Sequence, residues 1–239
     1  VWGRGALDMK NMVAANLMVF LLLKRQGVAL DRDIVFAATA DEEAGKGDHG
    51  PGWIMDHLPE LWDAPLIITE GGGSDFAVGD QRFVTCQTGQ KGLCRLRVVA
   101  RGTPGHGSMP HADSAILKLS KALAGLQGAV LPAHISASVR KFVEGIAARR
   151  PLEEAETWRQ LLDEATCDQV LARLPIDEEW RRELGAVLRN TASVTMLQAG
   201  SKINVIPGAA TAWIDGRLAP GQTQDSFAAE LRACIRDEV

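Results

Sequence analysis

The sequence predicts an α/β portion built on parallel strands, followed by an α+β layer whose helices cover one face of an antiparallel sheet. Three observations carry this expectation. Over the first ninety residues, helical patterns alternate with two apolar β-rich runs at 33–40 and 66–69. From about Gln90 onward the strand-like runs alternate polar and apolar residues, as strands with one wet face do. Between the two regions, at residues 88–92, the pattern changes, which places a boundary there and divides the chain into 1–90 and 91–239.

In chain order, Asp8–Gln26 reads as a helix, with good helix formers, Lys24 and Arg25 in the last turn, and Gly27 as the stop. Asp33–Ala40 reads as a buried strand, and residues 41–52, with their glycines and Pro51, as a loop. A short helix follows at Trp53–Leu58, then a second buried strand at Leu66–Thr69 that ends in Glu70-Gly71-Gly72-Gly73. This spacing implies a parallel pair with a crossover, so Asp41-Glu42-Glu43 and Glu70 fall at the carboxyl ends of adjacent strands, where open α/β sheets place their sites. Further on, Gly92–Arg101, Thr191–Gln198 and Ala210–Leu218 read as alternating strands. Ala112–Leu126 and Gln222–Val239 read as helices, and 151–189 as charged and helical without extractable chemistry.

Composition narrows the class. The chain has 239 residues, 46% hydrophobic and 23% charged, which suits a soluble globular protein with a sizeable core and argues against disorder. Its formal net charge is −4 and it holds no run of five basic residues, so neither a nucleic-acid nor a membrane partner is expected. Cys86, Cys94, Cys167 and Cys234 form no Cys-x-x-Cys pair, which argues against a thiolate zinc site and for reduced thiols in a cytoplasmic protein. The start, Val1–Gly5, lacks signal-peptide features. The apolar run Met12–Leu23 is expected to be too short to span a bilayer and to form a buried helix. The absence of an initial methionine and the end inside a helical pattern lead us to expect a fragment.

The carboxylates carry the chemistry. A lone Glu-Glu pair is usually surface decoration. Here Asp41 precedes Glu42 and Glu43, the strand before them is apolar, and Glu70 ends the neighbouring strand. Carboxylates gathered at one sheet edge repel each other unless a cation sits among them. Asp8, at the start of the long helix, can be read as an N-cap, as a metal ligand, or as both. Two divalent ions roughly 3.5–4 Å apart can share a carboxylate and a hydroxide. A neighbouring carboxylate that binds no metal can then move the proton. An adjacent Glu-Glu pair suits that division, since the two side chains point in different directions.

These segments resemble a known family. Gly3-Arg4-Gly5-Ala6-Leu7-Asp8-Met9-Lys10, Asp41-Glu42-Glu43-Ala44-Gly45 and Thr69-Glu70-Gly71-Gly72 look like the motifs of the M20 metallopeptidases and amidohydrolases, in order and spacing. The resemblance implies part of a zinc-peptidase-like catalytic domain with a parallel or mixed sheet, followed by an α+β lid that serves dimerisation. It implies two divalent ions, Zn2+ first and Co2+ or Mn2+ as alternatives, with Asp8 bridging them, Glu43 on one, Glu70 on the other, and Glu42 as general base. In Gly102-Thr103-Pro104-Gly105-His106-Gly107-Ser108, His106 would reach the active site of the partner subunit of a homodimer and stabilise the oxyanion. Asn204 would bind substrate, and Arg217 would grip the carboxylate of an N-acyl amino acid or small peptide. His49, His57, His111 and His134 fall at no ligand position of the pattern.

The family pattern also has two histidine ligands, one upstream of the Gly-Arg-Gly segment and one after the lid, that this chain does not contain. Weak metal affinity and little activity are therefore expected of these 239 residues alone. Two other readings compete: a non-catalytic fragment or dimerisation module with the family's fold, and an oxygen-ligand binder of calcium or magnesium.

Overall fold

The computed structural model describes residues 2–42, 49–61, 63–71 and 73–235. The chain divides into two compact units, Val1–Gly72 and Gly73–Val239.

In the first unit a distorted turn, Ala6–Lys10, runs into helix α1 (Asn11–Arg25), and α2 (Gly50–His57) follows the glycine-rich loop. No described residue of this unit is buried and none lies in a β-strand. This corrects three expectations. The runs at 33–40 and 66–69 are not paired strands, and Ile34, Val35, Leu66, Ile67 and Ile68 are exposed. Parallel strands depend on cover over both faces, and a pair without further strands is marginal in water. Nor is α1 a buried helix: Met12, Leu17, Met18, Val19 and Leu22 are exposed. Finally, the apolar run is longer than Met12–Leu23. Within the 20 residues Ala6–Arg25 an 18-residue window has a mean hydropathy of 1.5, long and apolar enough by length and composition to cross a membrane, as many core helices also are.

The second unit begins with a hairpin, β1 (Asp75–Val78) and β2 (Gln81–Val84). Its two-residue turn starts at Gly79, whose φ of 59° a residue with a Cβ adopts only at a cost. Strand β3 (Gly92–Arg101) follows, then the short β4 (Gly105–His106), helix α3 (Ala115–Ala124), four helices α4 (Ala137–Ala147), α5 (Leu152–Gln160), α6 (Cys167–Leu171) and α7 (Glu178–Val187), strands β5 (Thr191–Ala199), β6 (Val205–Ile206) and β7 (Ala209–Leu218), and helix α8 (Gln224–Cys234). The main sheet has the order β3-β7-β5, all antiparallel, and β4 pairs with β6.

Burial alternates along the central strand β7. Ala210, Ala212, Ile214 and Leu218 face inward, while Arg217 on the other face is exposed. α3 and α8 cover the inner face, Ala115 and Leu119 packing on Ala210 and Ala212, and Phe227 and Leu231 on Ile214 and Cys94. A Cβ on Gly216 would run into the Phe227 ring and the Cys94 carbonyl, so glycine is what lets α8 lie this close. The larger core is elsewhere. α4–α7 enclose Val143, Trp158, Leu161, Val170, Leu174 and Leu188, and the hairpin contributes Phe76 and Val78 to the same cluster.

Candidate functional site

Asp8 lies in the turn before α1, at φ −117° and ψ 92°, which is not helical. The cap position belongs to Lys10, and no side chain caps α1. The capping role open to Asp8 in the sequence is therefore not taken up, and its carboxylate is exposed. Asp41 adopts φ 59°, a left-handed conformation that aspartate tolerates better than most residues, and this bends the chain just before the exposed Glu42. Gly50, at φ 59°, approaches the Ala40 carbonyl so closely that a Cβ there would collide with it, which draws together the ends of the segment carrying the glutamates. Glu70 is half-buried and precedes Gly71, at φ 95°. Glu43 lies outside the described residues. Among the described residues, no three His, Cys, Asp or Glu side chains form a group able to hold a metal ion. Asp8, Glu42 and Glu70 by themselves thus do not fit a two-metal donor set.

In the second unit, two of the sequence candidates come together. His106 on β4 stands opposite Val205 on β6, and the Gly107 N–H donates to the Asn204 carbonyl at 2.8 Å. A Cβ on Gly107 would sit 3.2 Å from that carbonyl, so the approach depends on glycine. The His106 ring is exposed, and its tautomer follows from its contacts. The Ser108 backbone N–H, a donor only, points at Nδ1 from 3.2 Å, and the Ser108 hydroxyl lies 2.7 Å from the same atom. In the neutral ring this arrangement suits Nδ1 as acceptor, with the proton on Nε2.

Arg217 is not with them. It sits near the far end of β7, opposite Leu93 and Thr191, and its Nε donates to Asp215 Oδ1 at 2.8 Å. The β4–β6 ladder joins the sheet at its other end, where Gly102 donates to Gly208 and Arg101 pairs with Ala209. The strand from Ala209 to Arg217 spans roughly 26 Å at its usual rise.

Several polar groups outside the sequence motifs are also held in place by the fold. The Lys91 ammonium donates to the carbonyls of Ala186 and Arg189, both at 2.8 Å, and to the Thr191 hydroxyl at 3.0 Å. Burial, and then Arg217 and Arg189 nearby, lower its pKa to about 8. Arg189 is buried and satisfied, with Asp168 and the carbonyls of Leu131 and Gly185 as partners. Asn190, also buried, donates to Glu230 at 2.9 Å and accepts from the Ala219 N–H at 2.8 Å. His134 meets the other oxygen of Glu230 at 2.6 Å. Asp113 is held down to about 2, first by Lys118 and then by Thr103. Single residues of these types carry no sequence pattern, so only the fold brings them into view.

Residues 88–239 match the M20 peptidase dimerisation domain, and the chain belongs to the M20 peptidase family. Among its relatives, the mouse N-fatty-acyl-amino acid synthase/hydrolase PM20D1 is 28% identical over 247 residues, covering 100% of this chain and 47% of that protein. The probable carboxypeptidase S-like 2 of Dictyostelium discoideum is 29% identical, with 100% of this chain and 46% of the relative covered. The chain thus spans about half the length of these relatives. The M20 family metallo-carboxypeptidase Sso-CP2 of Sulfolobus solfataricus aligns over 61% of this chain and 39% of its own at 19% identity, with a TM-score of 0.34.

Proposed function

We propose that the protein is a metal-dependent hydrolase that cleaves the amide bond of an N-acyl amino acid, or of a small peptide with a free carboxylate, with Glu42 as general base. The observation that carries this reading is the ordered set Asp8, Glu42-Glu43 and Glu70 in a chain of this family, with Asp8 released from helix capping. Relatives named as an N-fatty-acyl-amino acid synthase/hydrolase and a probable carboxypeptidase S-like protein support the substrate class. In this reading Glu42 accepts a proton from water as its oxygen adds to the amide carbon, and returns it to the nitrogen as the C–N bond breaks. The Nε2–H of His106 and the side-chain amide of Asn204 donate to the oxyanion, and Arg217 holds the substrate carboxylate. The metal part of the proposal, Zn2+ with Asp8, Glu43 and Glu70 as ligands, draws on the donor chemistry of the sequence alone.

A homodimer belongs to the same proposal. His106 and Asn204 lie at one end of the sheet and Arg217 at the other, too far apart to hold one small substrate from a single protomer. Two protomers resolve this if His106 and Asn204 of one serve the site that Arg217 serves in the other. The edge strand β5, with Val194, Met196 and Leu197 exposed, offers unpaired backbone and apolar side chains for such a contact.

The test uses protein expressed from the complete reading frame, assayed on a panel of N-acyl amino acids with bound metal measured in parallel. Glu42→Gln is expected to cut kcat by about 10²–10⁴ with metal content unchanged. Full activity of Glu42→Gln, or a metal-loaded wild type that hydrolyses nothing, favours instead the dimerisation or binding module without catalysis.

A further inference from the structure

We propose that Asp113 and His111 are positioning residues for His106, Asp113 closing the loop 102–114 at its base and His111 filling it beneath Gly105.

At the base, the Thr103 N–H donates to the Asp113 carbonyl at 3.0 Å and to its Oδ2 at 2.9 Å, and the Thr103 hydroxyl donates to Oδ2 at 2.6 Å. The Lys118 ammonium pairs with the other carboxylate oxygen. Thr103 and Asp113, ten residues apart, are thereby fastened to each other and to the first turn of α3. Ser114 then caps that helix, accepting from the Leu117 N–H at 3.5 Å.

At the tip, His106 is held by β6, by the Gly107 bond to Asn204 and by the Met109 N–H, which donates to the His106 carbonyl at 2.9 Å. Inside the loop, both ring nitrogens of His111 are shielded from solvent and have no hydrogen-bond partner among the described residues. The ring lies directly under the strand, with Nε2 3.2 Å from where a Cβ on Gly105 would stand. Shielded polar atoms without partners cost free energy, so the ring's contribution here is its flat volume. Gly105 leaves room for that volume. The loop is thus clasped at one end and supported in the middle, with the His106 ring exposed at its tip.

The catalytic meaning of His106 comes from the proposed function, but the main readouts do not depend on it. Amide hydrogen exchange at Gly107 and Met109, and the 15N shifts of the His106 ring, are measured in the wild type and in Asp113→Ala, His111→Ala and His111→Phe. In the two alanine variants, exchange at Gly107 and Met109 is expected to rise about tenfold while β3 and β7 amides hold. The His106 15N shifts are expected to move away from the Nε2–H tautomer. His111→Phe, which keeps a flat ring and removes both nitrogens, is expected to stay near wild type in both readouts. If His111→Ala unfolds, so that β3 and β7 exchange as well, Asp113→Ala and His111→Phe carry the test. Unchanged Gly107 exchange and His106 shifts in Asp113→Ala overturn the clasp. A His111→Phe variant as loosened as His111→Ala overturns the packing role. In an active protein, Asp113→Ala is expected to lower kcat with KM little changed. A wild type without hydrolysis refutes the proposed function and leaves the exchange and shift results to decide this one.

Discussion

Replacing Phe76 with alanine tests whether the hairpin β1–β2 is part of the second unit's core. Phe76 is fully buried, and its ring centroid lies 4.4 Å from that of Trp180, 5.4 Å from Phe142 and 6.2 Å from Trp158. A two-stranded hairpin has little stability of its own, so Phe76 owes its burial to the helices it meets. Truncation of a buried phenylalanine costs about 3–5 kcal/mol, from lost transfer energy and an unfilled cavity. Because edge and tilted ring contacts are lost too, the upper half of that range is expected. Urea unfolding followed by tryptophan fluorescence reads this directly, since Trp158 and Trp180 flank the ring. With a slope of about 2 kcal/mol per molar, the midpoint should fall by roughly 2 M. Phe76→Leu, which keeps most of the volume, should cost less than about 1.5 kcal/mol. A loss under about 1 kcal/mol for Phe76→Ala would refute the integration of the hairpin into this core.

Asn190→Ala removes the partner of the Ala219 N–H and one partner of Glu230, and should cost about 1–3 kcal/mol in the same titration. Gly216→Ala places a Cβ against Phe227 and the Cys94 carbonyl, and should cost about 1–3 kcal/mol through displacement of α8. For Asp113, a folded pKa of about 2 against an ordinary 3.8 means a stabilising contribution that is complete above pH 3.8 and lost as pH falls toward 2. Asp113→Asn should remove that acid limb from a stability-against-pH curve. Lys91 has the opposite sign. With its folded pKa lowered to about 8 from 10.5, the unfolded chain binds more protons between those values, so stability should rise with pH across that window. Lys91→Gln should flatten the rise.

The second unit was legible where β3 and β7 alternate between an inner and an outer face. Gly92–Arg101 is strand β3 as expected, and the expected Ala210–Leu218 differs from β7 by one residue. Ser114 and the Thr223 capping box, in contrast, were not used to place helix starts, and they account for α3 and α8 beginning a few residues later than expected. The hairpin was missed although its signal was present: two short runs separated by Gly79-Asp80. The first unit was misjudged for a different reason. Apolar β-rich runs at 33–40 and 66–69 state what a strand would bury, but pairing and cover come from other segments. The described residues of that unit do not supply them. The motifs that single out His106 and Asn204 in the sequence meet at one end of the short β4–β6 ladder. His111 carries no such motif, and its ring nitrogens have no hydrogen-bond partner among the described residues.

The length of β7 bears on how such a site can be shared. A strand of this length places Ala209 and Arg217 at opposite ends of a sheet, and no side chain bridges the roughly 26 Å between them. The inward residues of β7 are committed to α3 and α8, so the strand cannot bend to bring its ends together without exposing Ala212, Ile214 and Phe227. Under the proposed function, His106 and Asn204 at one end of the sheet and Arg217 at the other would serve one small substrate only if different copies of the chain supplied them. The loop that carries His106 would then need rigidity of its own, because a donor reaching into another protomer's site gains no support from that protomer until the two are docked. The Thr103–Asp113–Lys118 clasp and the half-buried His111 ring would supply such support from within the chain.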